Sequence, residues 1–143
     1  MNIRQDVLEL TAVFPVMMKY SDVCEALNIS DKYLYKMLKN KKIVYLNLIR
    51  GKRIPRAFFV AYLVDDDSIR NVRFIKKVYT YILSIYPKIM TINEVCQVLN
   101  ISKSTVKRML ADGDLSSIHY HDTAKIQIYK DSLIHYMIEH TVK

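Results

Sequence analysis

Between Lys32 and Arg56 the chain carries nine basic side chains and no acidic one: Lys32, Lys36, Lys39, Lys41, Lys42, Arg50, Lys52, Arg53 and Arg56. A solvated face normally mixes signs, so a run of one sign marks a surface that attracts anions. The spacing adds geometry. Lys32, Lys36 and Lys39 fall within one arc at helical period, while Leu34, Met37 and Leu38 stand at i, i+3 and i+4 on the far side. A helix with these residues buries one stripe and turns a basic front to solvent, with Tyr33 and Tyr35 on its flanks. The polyanions that suit such a front are nucleic acid and an anionic membrane surface.

No comparable set supports catalysis. The histidines stand at 119, 121, 135 and 140, with no serine or cysteine nucleophile beside one in the expected fold. His119 and His121 share a face of an expected strand, where two imidazoles read as polar surface and not as a metal site. There is no glycine-rich phosphate loop, and no cofactor is expected. Cys24 and Cys96 sit on the buried side of equivalent helices, as small core residues of a reducing compartment. Neither has partners at disulfide or zinc-ligand spacing.

The basic helix belongs to a stretch that is written twice. At an offset of 72 positions, ten residues between Pro15 and Leu38 recur, among them Val23/Val95, Cys24/Cys96, Asn28/Asn100, Ser30/Ser102 and Met37/Met109. That is too many for chance, and it implies two copies of one unit. Each copy reads as two short helices around a polar turn. Ser21 is expected to cap the first helix with Glu25 near the reciprocal position, and Ser30 to cap the second. Val44 to Ile49 suits a strand, Arg50 to Arg53 a turn, and Ile54-Pro55 the return strand. Arg56 to Val64 follows as a helix packed through Phe58, Phe59, Tyr62 and Leu63.

The remaining elements follow from periodicity and punctuation. Ile3 to Val13 reads as a helix ended by Phe14-Pro15. Asp65 to Ser68 marks the boundary, with Asp67 or Ser68 capping a helix from Ile69 to Tyr86, the longest in the chain. Its apolar residues lie on two sides, so it is expected to bury most of its circumference between the units in a pseudo-dimer. The second wing is expected around His121 to Ala124, and the last helix from Asp131 to about His140. The fold class is therefore mainly α with small β-hairpin wings, in two units, 1–68 and 69–143.

The repeats resemble the excisionase-family, MerR-like winged helix-turn-helix. Glu94-Val95-Cys96, Ile101-Ser102, Thr105-Val106-Lys107-Arg108, Asp112-Gly113 and Tyr136 match its pattern in the second copy. Asp22-Val23-Cys24, Ile29-Ser30, Leu34, Lys36, Arg50-Gly51-Lys52-Arg53 and Tyr62 match it in the first. The resemblance covers roughly 18–63 and 90–137 and implies a tandem winged helix-turn-helix that meets double-stranded DNA. The DNA-facing set it implies is Lys32, Tyr33, Lys36, Arg50, Lys52 and Arg53, with Lys103, Ser104, Thr105, Lys107 and Arg108. The basic pattern adds Tyr35, Lys39 and Lys125. Where the family turn has Gly, the first copy has Lys41, leaving Asn40 as the expected left-handed residue. The second keeps Gly113 but has Asp112, Asp114 and Asp122 near its contact elements, which ranks it below the first in attraction for DNA.

Composition fits this picture. Twenty-two Lys and Arg against 14 Asp and Glu give a formal charge of +8 over 143 residues. No apolar run reaches the ~18 residues of a membrane span, and the N-terminus lacks a signal-peptide layout; a cytoplasmic location without membrane attachment is expected. The expected role is transcription regulation, or accessory work in recombination or plasmid transfer. Homo-oligomerisation and a second DNA-bound protein both stay open as partners. A protein–protein adaptor on degenerate winged helices is the other class, and it has no need of nine cations on one surface.

Overall fold

The computed structural model describes residues 9, 12–119 and 126–143. They divide into two compact units: one holds the described residues up to Ile75 together with Thr141–Lys143, the other Lys76–His140.

The first unit runs β1 (Met17–Lys19), α1 (Tyr20–Leu27), α2 (Asp31–Lys39), β2 (Tyr45–Leu48), β3 (Gly51–Pro55) and α3 (Arg56–Leu63). Its sheet is antiparallel in the order β1-β3-β2-β7, where β7 is Thr141–Val142 at the chain's end. Met18 pairs with Ile54, and Leu46 with both Arg53 and Thr141. The helices bury Val23, Leu34, Leu38, Phe58 and Phe59, and the sheet buries Met18 and Ile54 on one face and Leu46 on the other.

After α3 a 3-10 turn spans Asp67–Arg70, followed by α4 (Val72–Ile82) and a second 3-10 turn, Leu83–Ile85. The second unit continues with β4 (Ile89–Thr91), α5 (Ile92–Leu99), α6 (Lys103–Ala111), β5 (Ser117–His119), β6 (Ile126–Tyr129) and α7 (Lys130–Glu139). Its sheet is antiparallel in the order β4-β6-β5. The core gathers Met90, Val95, Leu99, Val106, Met109, Ile128, Leu133 and Met137. Mainly helical with small antiparallel sheets, the chain has the expected fold class.

Several boundaries differ from the sequence reading, each for a local reason. The Asp22 carboxylate accepts from the Lys19 backbone N–H at 2.8 Å, so α1 starts at Tyr20 with Asp22 in the reciprocal role expected of Glu25. The stretch from Ile69 to Tyr86 is not one helix. Asn71 is extended and its side chain accepts from the Arg73 N–H at 2.9 Å, so it interrupts the helix and caps α4. Nor does α4 bury most of its circumference: Ile75 and Tyr79 are buried, but Val72, Phe74 and Tyr81 are exposed. Tyr62 and Leu63 are also exposed, and Ala61 takes a buried place on α3 instead. The first wing turns over Ile49 and Arg50 alone, since Leu48 pairs with Gly51, and Lys52 and Arg53 therefore lie in β3. The helix expected over 3–13 and the second wing tip fall largely or wholly outside the described residues.

The turn after α2 carries a further correction. Asn40 is right-handed, and Lys41 is the left-handed residue, at φ 57°. The Lys41 N–H donates to the Leu38 carbonyl and the Lys42 N–H to the Met37 carbonyl, at 3.0 and 2.9 Å. This double bond pattern requires the left-handed residue one place past the cap, which leaves Asn40 no choice. Gly113 fills the same place after α6, at φ 80°. A side chain in this region costs roughly 1–2 kcal/mol, offset in part by glycine's larger entropy loss. Lys41→Gly should therefore stabilise the protein by about 0.5–1 kcal/mol, and Gly113→Ala should destabilise it by a similar amount. Urea unfolding midpoints followed by circular dichroism check both signs.

Candidate nucleic-acid interface

What α2 shows to solvent is set by the corner before it. Asn28 is left-handed at φ 53°, and the Ile29 N–H donates to the Cys24 carbonyl at 3.0 Å, closing α1. The Ser30 hydroxyl then accepts from the Tyr33 N–H at 3.1 Å and opens α2. Leu34, Met37 and Leu38 are buried as expected, which turns Lys32, Lys36 and Lys39 outward. No ion pair within 4 Å engages these three lysines among the described residues. Tyr33 and Tyr35 keep 57% and 55% of their surface exposed. The front therefore combines unneutralised cations with two accessible phenols.

The basic run does not act as one surface. Arg56 Nη1 donates to the Phe14 carbonyl at 2.6 Å, so this residue ties the chain ahead of β1 to α3. Arg53 is half-buried, its Nη1 donating to the Lys52 carbonyl at 3.0 Å, and burial pulls its pKa down, opposed by the charge of Asp22. Lys52 and Arg53 are adjacent in a strand and point to opposite faces, so they do not share a contact surface as expected. Arg50, at the wing tip, is exposed. Lys41 and Lys42 are exposed too, beside the front of α2. The sequence reading left them out of the contact set although the acid-free run contains them. Arg70 holds this turn, its Nη2 donating to the Lys41 carbonyl at 2.8 Å.

In the second unit Asn100 is left-handed at φ 55°, the Ile101 N–H donates to the Cys96 carbonyl at 3.2 Å, and Ser102 caps α6. Thr91 and Glu94 form a full reciprocal box on α5, at 3.1 and 2.9 Å. Lys103, Ser104, Lys107 and Arg108 are exposed. Thr105 is not: it keeps only 4% of its surface, with its hydroxyl 3.0 Å from that of Ser102. Tyr33 stands at the matching place in α2 and projects because its ring is longer; threonine stays under its neighbours. Arg108 lies 3.8 Å from the Asp112 carboxylate, which lowers the net charge of this front. Lys125 falls outside the described residues.

No cluster of three or more potential metal ligands occurs among the described residues, and no helix there is long and apolar enough to cross a membrane. The Cys24 thiol is pushed up to about 11, first by burial and then by its 3.3 Å hydrogen bond to the Asp31 carboxylate. Burial likewise raises the Cys96 thiol, partly opposed by Lys103.

Residues 89–141 match a family model described as a helix-turn-helix domain. No curated protein and no solved structure matches the chain. The matched stretch runs from β4 through α7 and includes α5, the left-handed Asn100 and the capped α6.

Because only the thiolate is nucleophilic, a raised Cys24 pKa means a neutral, unreactive thiol at neutral pH. Its alkylation by iodoacetamide should be slow at pH 8 and climb about tenfold per pH unit until the pH approaches 11. Asp31→Asn removes the charge that holds the proton and should speed the reaction at pH 8. Mass-spectrometric rates for Cys24 read both effects.

Proposed function

We propose that the protein binds double-stranded DNA through two winged helices. Its role would be that of a transcription regulator or of an excisionase-like accessory factor in recombination or plasmid transfer. The observation that carries this reading is the front of α2: Lys32, Lys36 and Lys39 exposed on one face, backed by a dry stripe and set off by a capped corner. A helix so placed enters the major groove, and the wing tip with Arg50 reaches the neighbouring backbone or minor groove. Phosphate contacts supply affinity and register; Ser104 and Lys107 in α6, with Tyr33 and Tyr35 in α2, suit contacts to base edges. The helix-turn-helix match over 89–141 supports DNA binding by the chain.

Both units are, on this reading, copies of one ancestral module. Two pairs of backbone bonds support it. Ile29 to Cys24 matches Ile101 to Cys96, and Arg56 N–H to the Val16 carbonyl matches Lys130 N–H to the Lys88 carbonyl, both at 2.8 Å. The side chains agree as well: Lys130 Nζ donates to the Tyr86 carbonyl at 2.9 Å, where Arg56 reaches Phe14.

If ~5–8 phosphates are contacted, log affinity should fall against log salt with a slope of roughly −4.5 to −7. Replacing Lys32, Lys36 and Lys39 by Ala should flatten that slope by up to ~3 units on any duplex. Replacing Lys107 and Arg108 should flatten it less, by at most ~2. Fluorescence anisotropy at several salt concentrations, with circular dichroism to confirm folding, measures all three. Absence of duplex binding at low salt would put the protein–protein adaptor in front.

A further inference from the structure

Beside the front of α2 lies a cavity of about 420 Å³ that shares Tyr33 and Lys36 with that front and extends past it to Tyr62. It is lined by Tyr33, Lys36, Met37, Asn40, Lys42 and Tyr62, all in the first unit. Its volume falls within the usual ~300–1,000 Å³ of small-ligand sites. The chemistry of the lining is specific: two tyrosines, two lysines and one asparagine, with Met37 as the apolar member. Tyr62 is the telling member. Tyr136, which the sequence aligns with it, is 3% exposed and stacks on His140 with ring centroids 4.0 Å apart. Tyr62 instead keeps 36% of its surface exposed. A large ring left open at this place, next to cations, is a platform with no stacking partner among the described residues.

We propose that this cavity takes an unpaired nucleotide of single-stranded DNA, its base stacked on Tyr62 and Tyr33 and its phosphate held by Lys36 and Lys42. Stacking on aromatic rings beside a positive groove is how single strands are held without sequence choice. The Asn40 amide can pair with a base edge. The inference rests on the DNA-binding reading and extends it: the first unit would bind best where duplex and unpaired strand meet.

The test uses the full chain, a labelled single strand of about 15 nucleotides of A and C that cannot self-pair, a length typical of single-strand binding, and the same strand annealed to its complement. Wild type should bind both. Tyr62→Leu should weaken single-strand binding roughly 5- to 150-fold, the effect of losing one base stack, and leave duplex binding within about twofold, since Tyr62 is outside the duplex-facing set. Tyr62→Phe keeps the ring and should retain single-strand binding. If wild type binds the duplex but not the single strand, the cavity proposal falls and the duplex reading stands. Tyr62→Leu leaving single-strand binding unchanged, or weakening both forms equally, also overturns it. Failure to bind either form sinks both readings.

Discussion

In each unit, what the second helix presents depends on the corner that precedes it. Three features make that corner: a left-handed asparagine, the bond from isoleucine back to cysteine, and a serine hydroxyl on the next helix's first turn. A cap of this kind contributes about 1 kcal/mol, a modest sum beside the buried leucines. Its importance is directional. Rotating α2 by one residue, 100°, would carry Leu34 or Leu38 toward solvent and drive a lysine into the apolar stripe. Burial of each such leucine stabilises by roughly 1.5–3 kcal/mol, and an unpaired buried charge costs several. The corner and the stripe therefore select one orientation, and the cations face outward as its consequence.

The same logic separates cations that hold the fold from cations left for a ligand. Arg56, Lys130 and Arg70 donate to the backbone carbonyls of Phe14, Tyr86 and Lys41. Lys32, Lys36, Lys39 and Arg50 lie exposed on the elements that can reach a duplex. Charge count alone does not make this distinction; partner atoms do. The second front differs in kind. Arg108 faces Asp112, and the Ser102, Ser104 and Thr105 hydroxyls lie 3.0 Å apart in two pairs around the cap.

Much of the fold was legible because the signals are local and repeated. The stripe Leu34, Met37 and Leu38, the Ser30 and Ser102 caps, and the strand–turn–strand after α2 all follow from period and residue type. What was not legible depends on competition between neighbours. Asn71 resembles any polar helix residue until its side chain takes the Arg73 N–H and splits the helix. Lys41 is an unlikely left-handed residue by type, yet the bond pattern closing α2 leaves it no alternative. Thr105 came into the contact set through the resemblance, which gives a position on the helix and not how far the side chain there reaches; it is buried. Lys52 and Arg53 were grouped by adjacency, but a strand sends neighbours to opposite faces.

The most direct test of the central claim, that the front of α2 is the main DNA-contacting surface, is a residue-resolved titration. Amide signals of the isotope-labelled protein would be followed while duplex DNA is added at low salt. The account predicts the largest shifts at Lys32 to Lys42 and at Arg50, with smaller ones at Lys103 to Arg108. Shifts confined to other elements, with the α2 signals unmoved while the duplex binds, would contradict it.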